Sequence, residues 1–107
     1  MIYRMRIYQA VKENLPVFHR FFLERLLPVQ LRHGARLVGR WQTQDGRVVV
    51  VWEYDDTAAY EDIQRAVRDD PDSLAAQEYR KGLGPLFTEY EETLMASTLP
   101  APEAGGA

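Results

Sequence analysis

The sequence lacks cysteine altogether, and it has only two histidines and two serines among its 107 residues. Without cysteine the chain cannot form disulfides, thiolate metal sites or a cysteine nucleophile. The two histidines, His19 and His33, stand far apart and the chain has no HExxH motif, so we expect no metal site. Ser73 lies near a predicted helix start and Ser97 lies by the tail, which does not fit a serine triad.

Long hydrophobic runs and nucleotide-binding glycine motifs are also missing. The longest apolar run is VVVVW, residues 48–52, which is far too short to cross a bilayer. The opening MIYRMRIY lacks the apolar block of a signal peptide, so we expect a cytoplasmic protein with no membrane partner. The net charge of −3 argues against nucleic-acid binding. Because no Walker loop or dinucleotide motif is present, we expect no bound cofactor.

The residues that are present suit one globular domain, with 46% apolar and 27% charged side chains. Four segments have the alternation or the apolar content that is typical of β-strands. They are MIYRMRIY, ARLVGRWQT, RVVVVWEYD and LFTEYEETLMA. Asp45 and Gly46 stand between the second and third of these segments and predict a tight hairpin.

Two regions between the strands have helical periodicity. In ENLPVFHRFFLERLLPVQLRHG, Pro28 is expected to end or kink the helix, and Gly34 is a natural left-handed stop. In DTAAYEDIQRAVRDD, Asp56 or Thr57 is the expected helix cap. Pro71 breaks this region, and a further helical piece follows it.

The predicted element order is therefore β-α-β-β-α-β, which is the ferredoxin-like α+β arrangement with a four-stranded antiparallel sheet. Right-handed crossovers place both helical regions on the same face of that sheet. We expect the domain to span residues 1–96. Residues 97–107 are small and rich in proline and glycine, and we expect them to form a disordered tail.

The third predicted strand indicates a dimer. Helices cover only one face of this sheet, yet both faces of the strand are mostly apolar. Its two rows are Val48, Val50, Trp52, Tyr54 and Val49, Val51, Glu53. We therefore expect a second copy to pack on the uncovered face as a homodimer. We expect that face to combine Ile2, Arg4, Arg6 and Tyr8 with Val49, Val51 and Glu53, with Arg4 or Arg6 paired to Glu53.

Several segments together resemble the NIPSNAP family, above all RHGARLVG.W and WEYD. Further matching segments are MIYRMRIY, VVVVWEYDD, DDPD and GPLFTEYEETLM, so that the resemblance covers roughly residues 1 to 95. It implies the dimeric α+β barrel superfamily, in which two ferredoxin-like sheets close face to face. Relatives in that superfamily include cofactor-free monooxygenases, isomerases and cyclases of aromatic polyketide pathways, and some haem enzymes.

Two histidines and five aromatic residues are the candidate site residues. His19 lies at the edge of an apolar helix stripe and has the chemistry of a general base, and the alternative is a partly buried histidine with its tip at the surface. His33 precedes Gly34 inside the family-like RHG, where it either caps a helix or belongs to a site. The candidate ligand-binding residues are Tyr3, Trp41, Trp52, Tyr54 and Tyr90, which otherwise fill core or interface.

Two functional hypotheses follow. By analogy with the superfamily, a small aromatic or polyketide-like substrate would sit between sheet and helices, lined by Tyr3, His19, Trp52 and Tyr54 with Trp41 near the mouth. The protein would then be a cofactor-independent oxygenase, cyclase or isomerase. Alternatively, the chain is a dimeric binding or regulatory module without catalysis. Haem binding is a third and weaker option.

Overall fold

All four predicted strands are present in the computed structural model, which describes residues 1–100. They are β1 (Ile2–Ala10), β2 (Arg36–Gln42), β3 (Arg47–Tyr54) and β4 (Phe87–Met95). The sheet order is β2-β3-β1-β4, and every neighbouring pair is antiparallel. The ferredoxin-like β-α-β-β-α-β prediction is thus confirmed. The predicted tail begins with irregular backbone at residues 97–100, and its residues 101–107 lie outside the described part.

The helical regions are more finely divided than the sequence predicts. A 3₁₀ turn at Lys12–Asn14 leads into α1 (Leu15–Phe21), a π-helical turn (Phe22–Leu26) and α2 (Leu27–Arg32), which together form one unbroken helical rod. The second region contains α3 (Thr57–Asp69) and α4 (Pro71–Lys81). Across residues 1–100, every helix is too short or too polar to span a membrane.

Pro28 does not end the first helical rod, which instead departs from α-helical geometry just before it, in the π-helical turn at Phe22–Leu26. Proline has no N–H to donate to the preceding turn, and its ring needs extra room there. The π-helical turn provides that room, because the N–H of Leu27 bonds to the carbonyl of Phe22, five residues back. Pro28 then occupies the first turn of α2, where a missing N–H costs nothing.

The predicted turns and caps form as the local signals indicate. Gly34 has a φ of 102° and ends α2, with the N–H of Ala35 bonded to the carbonyl of Gln30 at 3.0 Å. Gly46 has a φ of 85° in the β2–β3 hairpin. Asp56 caps α3 by accepting a hydrogen bond from the N–H of Ala59 at 2.7 Å.

The helices cover the face of the sheet that we call the helix face. It consists of Arg4, Arg6, Tyr8, Val48, Val50, Trp52 and Tyr54, with their neighbours on β2 and β4. The register pairs Arg4 with Trp52 and Arg6 with Val50, so both arginines point the same way as the buried row of β3. The predicted grouping of these arginines with Glu53 is wrong, because Glu53 lies opposite Tyr3 on the other face.

The core lies between the helix face and the helical rod. Val48, Val50, Trp52 and Tyr54 are each 3% exposed or less. Phe18 and Phe21 of α1 pack in one cluster with Val48 and Leu86, and Phe22 packs in a second cluster with Val50, Trp52 and Tyr54. Each fully buried side chain of this kind contributes about 1.5–3 kcal/mol.

The other face of the sheet, which we call the open face, has no helix on it in residues 1–100. Its residues include Tyr3, Met5, Ile7, Trp41, Val49, Val51 and Glu53. The Trp41 ring folds over Gly39 so closely that a Cβ there would stand 2.5 Å from it, and the ring is still 52% exposed. Met5, Ile7, Val49 and Val51 at the centre of this face are partly buried by their neighbours in the sheet.

Candidate functional site

A cavity of about 440 Å³ lies between the helix face and the helices. The sheet contributes its floor and the helices contribute its walls. Its most informative lining residues are Arg4, Arg6, Tyr8, Phe18, Phe22, Trp52, Ser73, Arg80, Phe87 and Tyr90. Two lining residues, Leu74 and Tyr90, are 61% and 50% exposed and mark the mouth.

Aromatic rings form the floor and one wall of the cavity. Tyr8 meets Phe18 edge to face with ring centroids 5.2 Å apart, and it meets Phe87 at 4.8 Å. The ring centroid of Phe22 lies 5.9 Å from that of Trp52 on β3. Rings of this kind give rigid apolar walls with few internal rotations, which suits a flat hydrophobic ligand.

Arginines supply the polar part of the lining, and within the described chain no aspartate or glutamate lines the cavity. Arg4 is only 6% exposed. It donates a hydrogen bond of 2.9 Å to the Gln64 side chain and lies 3.5 Å from a carboxylate oxygen of Glu92. These two partners hold its guanidinium at one end of the cavity.

Arg6 is held by rings rather than by a carboxylate. Its guanidinium carbon lies 4.3 Å from the centroid of the Tyr90 ring and 5.3 Å from that of Tyr8. The guanidinium carbon of Arg80 likewise lies 4.6 Å from the centroid of the Phe87 ring. Cation–π contacts stabilise such charges but do not neutralise them.

The arginines also affect the pKa of Tyr8, which lies on the same strand as Arg4 and Arg6. Burial raises the pKa of the Tyr8 hydroxyl, and the positive charges of Arg6, Arg4 and Arg40 oppose that rise. Burial also raises the pKa of Tyr54, deeper in the core, to about 12, and the charges of Arg4 and Arg6 oppose that rise as well. Both phenols are therefore neutral at pH 7.

The structure separates the five predicted ligand-binding aromatics into three locations. Trp52 and Tyr90 line the cavity. Tyr54 is fully buried in the core, where its hydroxyl accepts a hydrogen bond from Gln64 at 3.2 Å. Tyr3 and Trp41 lie on the open face, and Glu53 raises the pKa of Tyr3 by accepting a hydrogen bond from its hydroxyl.

His19 lies outside the cavity lining, on the helix-face side of β2. An Arg40 N–H donates to its Nδ1 at 2.7 Å, and its Nε2–H donates to the Gln42 side chain at 2.9 Å. Both ring nitrogens are thus engaged by protein partners. In this arrangement the histidine fixes Arg40, whose guanidinium lies 4.4 Å over the Phe22 ring.

His33 belongs to an ion cluster that joins the end of α2 to the start of α4. Its Nε2 lies 2.7 Å from Asp70 Oδ2, and Arg32 donates to the same oxygen at 2.6 Å. The other oxygen of Asp70 caps α4 by accepting from the N–H of Asp72 at 2.8 Å. Arg32 and then His33 hold the pKa of the Asp70 carboxyl well below its ordinary value.

We expect Asp70→Asn to lower the melting temperature at pH 7 by about 5 °C or more. Asparagine keeps the cap but loses the charge that Arg32 and His33 bind. Because the folded-state pKa of Asp70 is lowered, its contribution is present above the ordinary value of 3.8 and is lost as the pH falls below it. Melting curves at pH 7 and pH 3 should therefore differ less for Asp70→Asn than for the wild type.

The exposed neighbour Asp69 provides the control for this experiment. Its side chain is 75% exposed, and its only ion pair within residues 1–100 is with Arg68, at 4.0 Å. We expect Asp69→Asn to melt as the wild type does at both pH values. Equal melting of the two variants would show that the cluster at Asp70 contributes nothing to stability.

The sequence-based interpretation missed the arginines of the cavity. Arg4 and Arg6 stand on the same strand row as Tyr8, and Tyr8 pairs across the sheet with the buried Val48. Recognising that register would have placed both arginines beneath the helices. Arg80 gives no such signal, because α4 is exposed along much of its length and has only a weak apolar stripe.

Comparison with solved structures supports the fold. The chain is similar to an uncharacterised NIPSNAP domain protein from Burkholderia xenovorans, with 24% identity, a TM-score of 0.81, and coverage of 96% of this chain and 100% of that one. It is similar to a NIPSNAP family protein from Agrobacterium tumefaciens at 18% identity and a TM-score of 0.78, covering 91% and 92%. An antibiotic biosynthesis monooxygenase matches at 12% identity and a TM-score of 0.63, covering 92% and 100%.

No curated protein matches the chain. The family model for NIPSNAP matches residues 3–98, which is nearly all of the part that the structure describes. The segments RHGARLVG.W and WEYD, which carry the resemblance at the level of sequence, form the α2–β2 connection with β2 and the end of β3. The match over this length shows that the chain belongs to the NIPSNAP family.

Proposed function

We propose that the protein binds a small, largely aromatic or alicyclic molecule in the cavity between sheet and helices. The observation that carries this proposal is the cavity itself, at about 440 Å³ with a wall of rings that meet edge to face. Ligand sites in proteins are typically about 300–1,000 Å³ and mostly apolar with a few polar groups. A core packed only for stability would have closed this space.

The residues that line the cavity favour ligand binding over catalysis that requires a general base. Within residues 1–100, no histidine, aspartate or glutamate lines the cavity. A cyclase or isomerase requires a proton acceptor within hydrogen-bond reach of its substrate. A cofactor-independent oxygenase that acts by enclosing an electron-rich substrate stays as the second candidate, favoured by the similarity to an antibiotic biosynthesis monooxygenase.

The experiment that tests binding uses the neutral naphthalene dye Prodan, whose fluorescence rises and shifts to the blue in apolar surroundings. Ser73 lines the cavity from the first turn of α4 and is partly exposed, so a larger side chain there can enter the cavity without disturbing the core. We expect the wild type to bind one dye per chain, and Ser73→Trp to weaken the affinity by about tenfold or more.

Glu78→Trp is the matched control, because Glu78 lies exposed on the same helix and outside the cavity lining. It loses only a surface ion pair of 3.1 Å with Lys81, which costs little. We expect this variant to bind Prodan as the wild type does. Equal weakening by both tryptophans, or no saturable binding by the wild type, would overturn the proposed function.

We also propose that the protein assembles as a homodimer through the open face. Met5, Ile7, Val49 and Val51 form adjacent apolar positions on the two central strands of that face. They are half-buried by their neighbours alone, without any covering layer in residues 1–100. A second copy of the same sheet supplies a matching apolar layer through two-fold symmetry.

A further inference from the structure

The cavity has a charge that an apolar ligand would not require. Four arginines line it, namely Arg4, Arg6, Arg68 and Arg80, and no acidic residue of the described chain does so. Arg4 pairs with Glu92 at 3.5 Å and Arg68 lies 4.0 Å from Asp69, so within residues 1–100 Arg6 and Arg80 carry the uncompensated positive charge of the lining. Concentrated charge of one sign inside a low-dielectric cleft attracts a ligand of the opposite sign.

Arg6 is the arginine whose charge is least satisfied by the protein. Among residues 1–100 it forms no ion pair, and its Nε is buried without a hydrogen-bond acceptor. Glu92 stands opposite it on β4, yet the ion pair of Glu92 is with Arg4. Arg6 is partly buried, and withdrawing part of a guanidinium from water favours a counter-charge beside it.

The rings around Arg6 leave it able to bind an anion. Tyr90 and Tyr8 contact the guanidinium through cation–π interactions at 4.3 and 5.3 Å, as described above. Rings over the face of a guanidinium leave its in-plane N–H groups available as donors. Those donors match the two oxygens of a carboxylate, and the pair that results is strong in a partly buried site.

We propose that the ligand is an aromatic or alicyclic carboxylic acid whose carboxylate pairs with Arg6, while its ring system packs against Trp52 and the phenylalanine wall. This inference rests on the proposed function and names the chemical class of the ligand. Arg4 is already paired with Glu92 and bonded to Gln64, so the carboxylate pairs with Arg6. One unpaired arginine between tyrosine rings fits a single carboxylate.

A matched pair of probes tests this inference: naphthalene carboxylate and the corresponding neutral carboxamide, each titrated by calorimetry at low salt. The two have the same ring and nearly the same shape, so their difference reports the charge. We expect the wild type to bind the carboxylate about tenfold more tightly than the amide or better. Arg6→Gln should abolish that preference while it changes the affinity for the amide by no more than about twofold.

Arg20→Gln is the control for net charge, because Arg20 is exposed on α1 and lies outside the cavity lining. It should keep the full preference for the carboxylate. Arg6→Lys should keep part of it, since an ammonium retains the charge without the planar fork. The melting temperature of ligand-free Arg6→Gln should stay close to that of the wild type, because Arg6 is partly exposed and forms no ion pair in residues 1–100.

The outcomes separate the two proposals. If the wild type binds both naphthalene probes equally, or if Arg6→Gln keeps the preference, the carboxylate inference is overturned and the proposed function stands. If Arg6→Gln loses stability and weakens both probes alike, Arg6 has a structural role and the inference is overturned as well. If the wild type shows no saturable binding of Prodan, the proposed function itself fails, and the carboxylate inference that rests on it fails too.

Discussion

Tyr54→Ala should lower the free energy of unfolding by about 3–5 kcal/mol, which is a large share of the stability of a domain of this size. Tyr54 is 0% exposed at the end of β3. Its ring meets Tyr60 of α3 edge to face at 5.0 Å, and its hydroxyl accepts from Gln64. Truncation opens a void under α3 and leaves the Gln64 amide short of one partner. Urea denaturation measured by circular dichroism tests the expected loss.

Tyr54→Phe separates the contribution of the Tyr54 ring to stability from that of its hydroxyl group. It keeps the packed ring and removes only one hydrogen bond of 3.2 Å, so we expect a loss of about 1 kcal/mol. Because Tyr54 does not line the cavity, Tyr54→Phe should bind Prodan with unchanged affinity. A clear loss of binding in Tyr54→Phe would restore the ligand-binding role that the sequence predicts for this residue.

Val49→Glu should abolish the proposed homodimer. Val49 lies at the centre of the open face, between Ile7 of β1 and Trp41 of β2. Two-fold symmetry would place two new carboxylates in one apolar interface, and neither would have a partner. We expect the dissociation constant to rise by at least about a hundredfold. Light scattering coupled to size exclusion should then show the mass falling from twice 12.4 kDa to 12.4 kDa.

Leu31→Glu provides the control for this change of charge. Leu31 is 49% exposed on α2, away from the open face, so the variant should keep the mass of the wild type. Its melting temperature should also stay close to that of the wild type. A wild-type protein that is monomeric at micromolar concentration, or a Val49→Glu variant that stays dimeric, would contradict the proposed assembly.

The parts of the fold that depend on local chemistry are predictable from the sequence. Gly34 and Gly46 take positive φ values where the chain must turn. Asp56 caps a helix by accepting a hydrogen bond from the backbone N–H of Ala59, three residues along the chain. The face of β1 is different, since each of its two rows mixes apolar side chains with polar ones. Arg4 is buried because Gln64 and Glu92 satisfy it, and these partners are 60 and 88 positions distant.

The candidate site could be predicted by residue type but only partly by position. Aromatic residues do line the cavity, and Trp52 and Tyr90 are among them. Tyr3 and Trp41 lie on the opposite face because side chains alternate along a strand, which a composition-based choice of rings does not take into account. The positive charge of the cavity depends on the register between β1 and β3, and no local pattern specifies that register.

The π-helical turn at Phe22–Leu26 has a consequence for how this protein can change over time. It acts as a spacer that sets the rotational phase of everything after it, since one residue more or less turns a helix by about 100°. The directions of two later side chains depend on this turn, namely Val29, which lines the cavity, and Arg32, which binds Asp70. A deletion within the turn would rotate both residues away from their contacts at once. A homologue with a regular α-helix here must therefore rebuild both the cavity wall and the ion cluster between α2 and α4.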